Sequence, residues 1–115
     1  MDPGSATAKD IAHKALADRN AKSNDLYHDM LIKVTEMTSQ VVNGINYVLK
    51  MYIGQSTCSK KVVKPEDVHA SNCQLSADNS AEKCTVKVYS QPWTDTFKVN
   101  EFSCQSATRQ EALQA

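Results

Sequence analysis

Two hydrophobic periods run along the chain, and the switch between them marks its organisation. From Ala8 to about Ser23, the residues Ala8, Ile11, Ala12, Ala15, Leu16 and Arg19 recur at helical spacings of three and four. Lys9, Asp10, Lys14 and Asp18 occupy the opposite face. The spacing predicts a helix whose buried stripe is mostly alanine, suited to close packing on a sheet, with Asn24-Asp25 as its stop. The period then falls to two. Met30, Ile32 and Val34 are expected on one face of a strand, with Tyr27, Asp29, Leu31, Lys33 and Thr35 on the other. After Gly44, Ile45, Tyr47, Leu49, Met51 and Ile53 alternate with Asn46, Val48, Lys50 and Tyr52. Asn43-Gly44 between these runs predicts a hairpin with a two-residue type I′ turn, since both residues tolerate positive φ.

Residues 54–83 lose this regularity and contain Pro65, so they read as a long irregular excursion. Two further strands are expected at 84–90 and 97–104, joined by "QPWTDT", with Pro92 in the turn because it cannot donate to a central ladder. The tail from Gln105 is polar. The sum is an α+β domain, one long helix across an antiparallel sheet of four strands (to five).

The 115 residues suffice for one domain with one core. Thirteen basic residues balance thirteen acidic ones, so no basic excess points to nucleic acid or to an anionic membrane surface. No apolar run approaches the roughly 18 residues of a membrane span. Cys58, Cys73, Cys84 and Cys104 allow three connectivities; sequential pairing suggests Cys58–Cys73 and Cys84–Cys104. None shows C-x-x-C spacing, and His13, His28 and His69 are scattered, with His28 and His69 expected on the surface. Two disulfides, no metal and no cofactor are therefore expected, in an oxidising, extracellular compartment. The opening "MDPGSA" reads as an introduced start in place of a native leader. On this reading residues 1–7 are an added or disordered start, 8–104 the domain, and 105–115 a mobile tail.

The unusual feature is an apolar hairpin tip, Val41-Val42, where polar residues are the rule. "QVVNG" (Gln40, Val41, Val42, Asn43, Gly44), "PW" (Pro92, Trp93), four cysteines in order, "NAKSNDLYH" and "YIGQSTC" together resemble the type 2, secreted cystatins over roughly residues 8–104. The resemblance implies the cystatin fold. It also implies reversible, competitive, tight-binding inhibition of papain-like cysteine proteases such as cathepsins. Two hairpin loops carrying those seven residues would occlude the cleft, and the chain would do no catalysis itself. It implies a monomer able to form a domain-swapped dimer through the first hairpin. Ser23-Asn24-Asp25 is similar to the loop by which some members inhibit legumain; the alternative is an ordinary helix-ending turn, and the two are compatible.

Two departures accompany the resemblance. Asn43 stands where many members carry alanine or glycine. Gly4 lies too close to the helix to match the glycine of the family's N-terminal arm, which implies weaker binding than in full-length relatives. The rival to inhibition is a non-inhibitory cystatin-fold module with an interaction or immune-modulating role.

Overall fold

The computed structural model describes residues 4–68, 71–77 and 80–115; His69 lies outside them. Helix α1 (Ala6–Lys22) is followed by strands β1 (Tyr27–Val42), β2 (Gly44–Ser59), β3 (Ser80–Gln91) and β4 (Thr96–Thr108), then a short helix α2 (Arg109–Gln114). The strands form one antiparallel sheet in the order β1-β2-β3-β4. This is the expected α+β layering, with α1 laid on one face.

The alanine stripe does what its spacing suggests. Ala8, Ile11, Ala12, Ala15 and Leu16 are buried against Val34, Met37, Tyr47, Leu49, Met51, Ile53, Val86 and Val88. Each fully buried leucine, isoleucine, valine or methionine in this layer contributes about 1.5–3 kcal/mol of transfer free energy, and each alanine methyl less. The helix begins earlier than its apolar stripe: Ser5 caps it, its hydroxyl accepting from the Ala8 N–H at 3.2 Å. Part of the segment expected outside the domain therefore belongs to its first element.

Strand β1 departs from strict alternation. Its register against β2 shifts at three places, between Tyr27 and Asp29, Leu31 and Lys33, and Val34 and Glu36. An extra residue in one strand reverses the facing of the residues after it. Leu31, Val34 and Met37 consequently pack on the helix side. Ile32, expected beside Val34, lies on the opposite face with Tyr52, Ala81 and Ala112. His28, expected at the surface, is fully buried; its Nε2 lies 2.6 Å from the Val63 carbonyl, so the bulged strand start turns it beneath the excursion.

Both disulfides take the sequential pairing. Cys84 and Cys104 sit directly opposite in the β3–β4 ladder, and Cys58–Cys73 fastens the excursion to the end of β2. Beside that second bond, Thr57 N–H donates to Gln74 O at 2.8 Å and Ser76 N–H to Gln55 O at 2.9 Å. Closing this loop stabilises the fold by about 3 kcal/mol in the chain-entropy view.

The tail expected to be mobile is folded. β4 runs on to Thr108, whose hydroxyl caps α2 by accepting from the Glu111 N–H at 3.1 Å. α2 buries Ala112 against Tyr52 and Ala81 on the face away from α1. Arg109 donates to the carbonyls of Ser80 and Ser76 at 2.6 and 2.8 Å, and the Tyr52 hydroxyl donates to Glu111 at 3.0 Å. Burial and the adjacent Glu111 carboxylate hold the Tyr52 phenol above its ordinary pKa.

Candidate functional site

The antiparallel order brings two loops to one end of the sheet. Ile45, the second residue of β2, pairs with Ser90, and Ser90 pairs in turn with Phe97. The β1–β2 turn and the β3–β4 loop therefore stand side by side. Their tips are apolar and open: Val41 is 79% exposed, Val42 49% and Trp93 68%. Gln40, Asn43 and Pro92 are exposed as well, so six of the seven residues expected to form the contact surface are available there.

Gly44 is the exception, and its role is internal. It is buried, with φ +135, and a Cβ built on it would lie 2.6 Å from the Tyr89 hydroxyl. The turn is tighter than a two-residue type I′ connection. Val42 pairs with Gly44 across the ladder, leaving Asn43 alone at the apex, and Gly44 alone takes the positive φ. Glycine accepts this conformation without a Cβ penalty, so it absorbs the chain reversal for both positions.

The second loop closes differently. Pro92–Thr94 form one 3₁₀ turn, and Asp95 adopts the left-handed conformation, with its N–H donating to Pro92 O at 3.1 Å. Proline's fixed φ suits the first position of such a turn and lowers the entropy lost when Trp93 docks.

Two residues absent from the sequence-derived set tie the first turn to the end of β3. The Tyr89 hydroxyl donates to the Asn43 carbonyl, and Gln91 Nε2 donates to the same oxygen at 3.0 Å. A carbonyl has two lone pairs, and both are used here. The sequence signals for them are weak: a tyrosine in a strand and a glutamine before a proline are ordinary.

The segment Ser23-Asn24-Asp25 is at the opposite end of the molecule, where β1 begins rather than ends. Asn24 is exposed. Asp25 N–H donates to Ser23 Oγ at 3.1 Å, and Lys60 Nζ donates to Ser23 O at 2.8 Å, holding the backbone around it. Asn20 fixes the helix end to the strand: its Nδ2 donates to Asp29 O and its Oδ1 accepts the Asp29 N–H, both at 2.9 Å. Arg19 adds an ion pair with Asp29 and stacks 5.2 Å over Phe102.

Among the described residues no cysteine is free. The loop end offers apolar surface and backbone polar groups. Such an edge can fill a cleft by shape and exclude water from it.

A sequence model of the cystatin domain matches residues 1–93. The chain is similar to the L-cystatin of Tachypleus tridentatus, with 33% identity over 103 residues, covering 90% of this chain and 76% of that protein. It is also similar to the cystatin-C of Mus musculus, with 31% identity over 96 residues, covering 81% of this chain and 65% of the relative, just under two thirds of its length. In structure it is similar to a salivary cystatin of the soft tick Ornithodoros moubata, with a TM-score of 0.79 and 27% identity over 91% of this chain and 93% of that one.

Proposed function

The chain belongs to the cystatin family, whose members inhibit cysteine proteases, and on that premise we propose that it inhibits papain-like enzymes, cathepsins among them, by reversible occlusion of the active-site cleft. The observation that carries this is the exposed apolar edge of Val41, Val42, Pro92 and Trp93 on two adjoining loops. Those side chains gain burial only in a complex. Fully covering a tryptophan removes about 150–250 Å² from water, a gross gain near 4 kcal/mol before binding costs. Because a sheet fixes the loops beforehand, little of that gain is lost to ordering. Gln40 and the backbone of the first turn supply hydrogen bonds to the cleft walls. No scissile bond is placed in line with the protease's nucleophile, so the contact blocks without reacting.

The test is kinetic. With papain and a fluorogenic peptide, the chain should raise the apparent KM while leaving kcat unchanged, and activity should return on dilution. A depressed kcat at saturating substrate would mean inhibition from outside the cleft, and no effect at all would favour the non-inhibitory interaction module instead. The two disulfides fit an oxidising compartment, which supports a secreted protein. A swapped dimer that opens residues 40–44 would lose the first loop, so size-exclusion fractions should inhibit only as monomer.

The Ser23-Asn24-Asp25 loop is a second, independent site by this proposal, directed at legumain. Its exposed asparagine on a pinned turn is the supporting observation. Asn24→Lys should abolish legumain inhibition and leave papain inhibition within about twofold, since surface changes away from a contact are nearly neutral. A parent chain that fails to inhibit legumain would leave the segment as a helix-ending turn and no more.

A further inference from the structure

Gln91 touches both loops. Its Nε2 donates to the Asn43 carbonyl at the apex of the first turn at 3.0 Å, while its Oε1 accepts from the Thr94 hydroxyl of the second at 2.8 Å. The amide orientation follows from its partners: a carbonyl can only accept, so the NH₂ group must face Asn43. The one Thr94 hydroxyl proton is shared between two oxygens of Gln91, the nearer Oε1 and the backbone carbonyl at 3.1 Å, so Thr94 Oγ1 accepts from Thr96 Oγ1 at 2.9 Å and continues the chain of bonds into the first residue of β4. The backbone ladder carries the link only as far as the base of the loops. β1 and β4 are at opposite edges of the sheet, and beyond Ile45–Ser90 no backbone pair joins the two tips.

We infer that Gln91 is a positioning residue for protease binding, a side-chain strut that sets the separation and orientation of the two loops and makes them one preformed surface. The inference rests on the proposed inhibition of papain-like enzymes and adds to it a determinant outside the contact residues. Gln91 would act on Kd through the fraction of free molecules whose loops already match the cleft, because apparent affinity scales with that fraction. Tyr89 shares the Asn43 end of the strut, but among the described residues the hydrogen bond of its hydroxyl goes to the first turn and not to the second loop, so it does not replace Gln91.

The experiment combines papain binding with backbone ¹⁵N relaxation of the free protein. Gln91→Ala should weaken papain binding about tenfold, near the worth of one net hydrogen bond together with the ordering it spares. Order parameters at Asn43, Gly44 and Thr94 should fall, while those at Leu49 and Val86 hold and the melting temperature drops by no more than several degrees, on the order of 5 °C. Thr94→Val should reproduce both effects without altering Gln91, and the double variant should be no weaker than either single one. Thr94→Ser, which keeps the hydroxyl, should behave as the parent. Losses that add in the double variant, with loop order unchanged, would mean that Gln91 contacts the protease directly and would overturn the strut. So would a Gln91→Ala chain with parental affinity and parental loop order. If the parent does not bind papain, the proposed function fails, and the relaxation data still decide whether the strut exists.

Discussion

Gly44→Ala is expected to cost this protein both its inhibition and part of its stability. The added methyl would meet the Tyr89 ring, with contacts of 2.6, 2.7 and 2.8 Å to Oη, Cζ and Cε1, at a backbone φ of +135 that side-chain-bearing residues rarely adopt. Strain of this kind costs about 1–3 kcal/mol. For a domain of this size that lowers the melting temperature by several degrees, on the order of 5–10 °C. Relief requires the turn to rotate, which releases the Asn43 carbonyl from both donors, or Tyr89 to swing away, which removes one of the two. The first loop then leaves the position that matches the second, and affinity for papain should fall about a hundredfold or more. Adding Tyr89→Ala removes the collision and leaves the φ strain, so the double variant should regain stability only in part and inhibition not at all. Thermal denaturation and papain titration of the three proteins check this. A Gly44→Ala chain that melts and inhibits like the parent would mean that the turn does not have this shape.

Trp93→Ala should separate binding from folding. The indole is 68% exposed and belongs to neither buried cluster, so its removal takes nothing from the core. An interface anchor of this type contributes about 1–3 kcal/mol on truncation, which is roughly a 5- to 150-fold rise in Kd. The melting temperature should move by less than about 2 °C. Unchanged inhibition would remove the second loop from the contact surface, and a large drop in melting temperature would place Trp93 in the fold rather than in the interface.

Much of this arrangement is legible in the sequence because it rests on local rules. The alanine stripe of α1 and the alternation from Tyr47 to Ile53 each state which side is buried, and the core follows them. The apolar tips are visible for the same reason: valines and a tryptophan in turn segments contradict the burial pattern around them. The face of Ile32 is hidden because a bulge adds a residue without any sequence mark; the period-two count simply continues through it. His28 and the tail depart from expectation because their partners are distant in sequence. Val63 covers the histidine, and Tyr52 and Ala81 receive Ala112, contacts that no local pattern encodes. The same holds at the loop end, where Tyr89 and Gln91 reach a carbonyl more than forty residues earlier in the chain. The contact residues are apparent from their chemistry; the residues that hold them in place emerge only from the fold.

If the paired loops plug a papain-like cleft without reacting with it, stoichiometry shows this most directly. A known concentration of active papain is titrated with increasing amounts of the chain and read as residual peptidase activity, with the mass of the chain measured afterwards. Activity should fall to zero as the ratio passes one chain per enzyme, and the chain should be recovered intact. Full activity in the presence of excess folded chain, or a chain cleaved within residues 40–44 or 91–95, would contradict the plug.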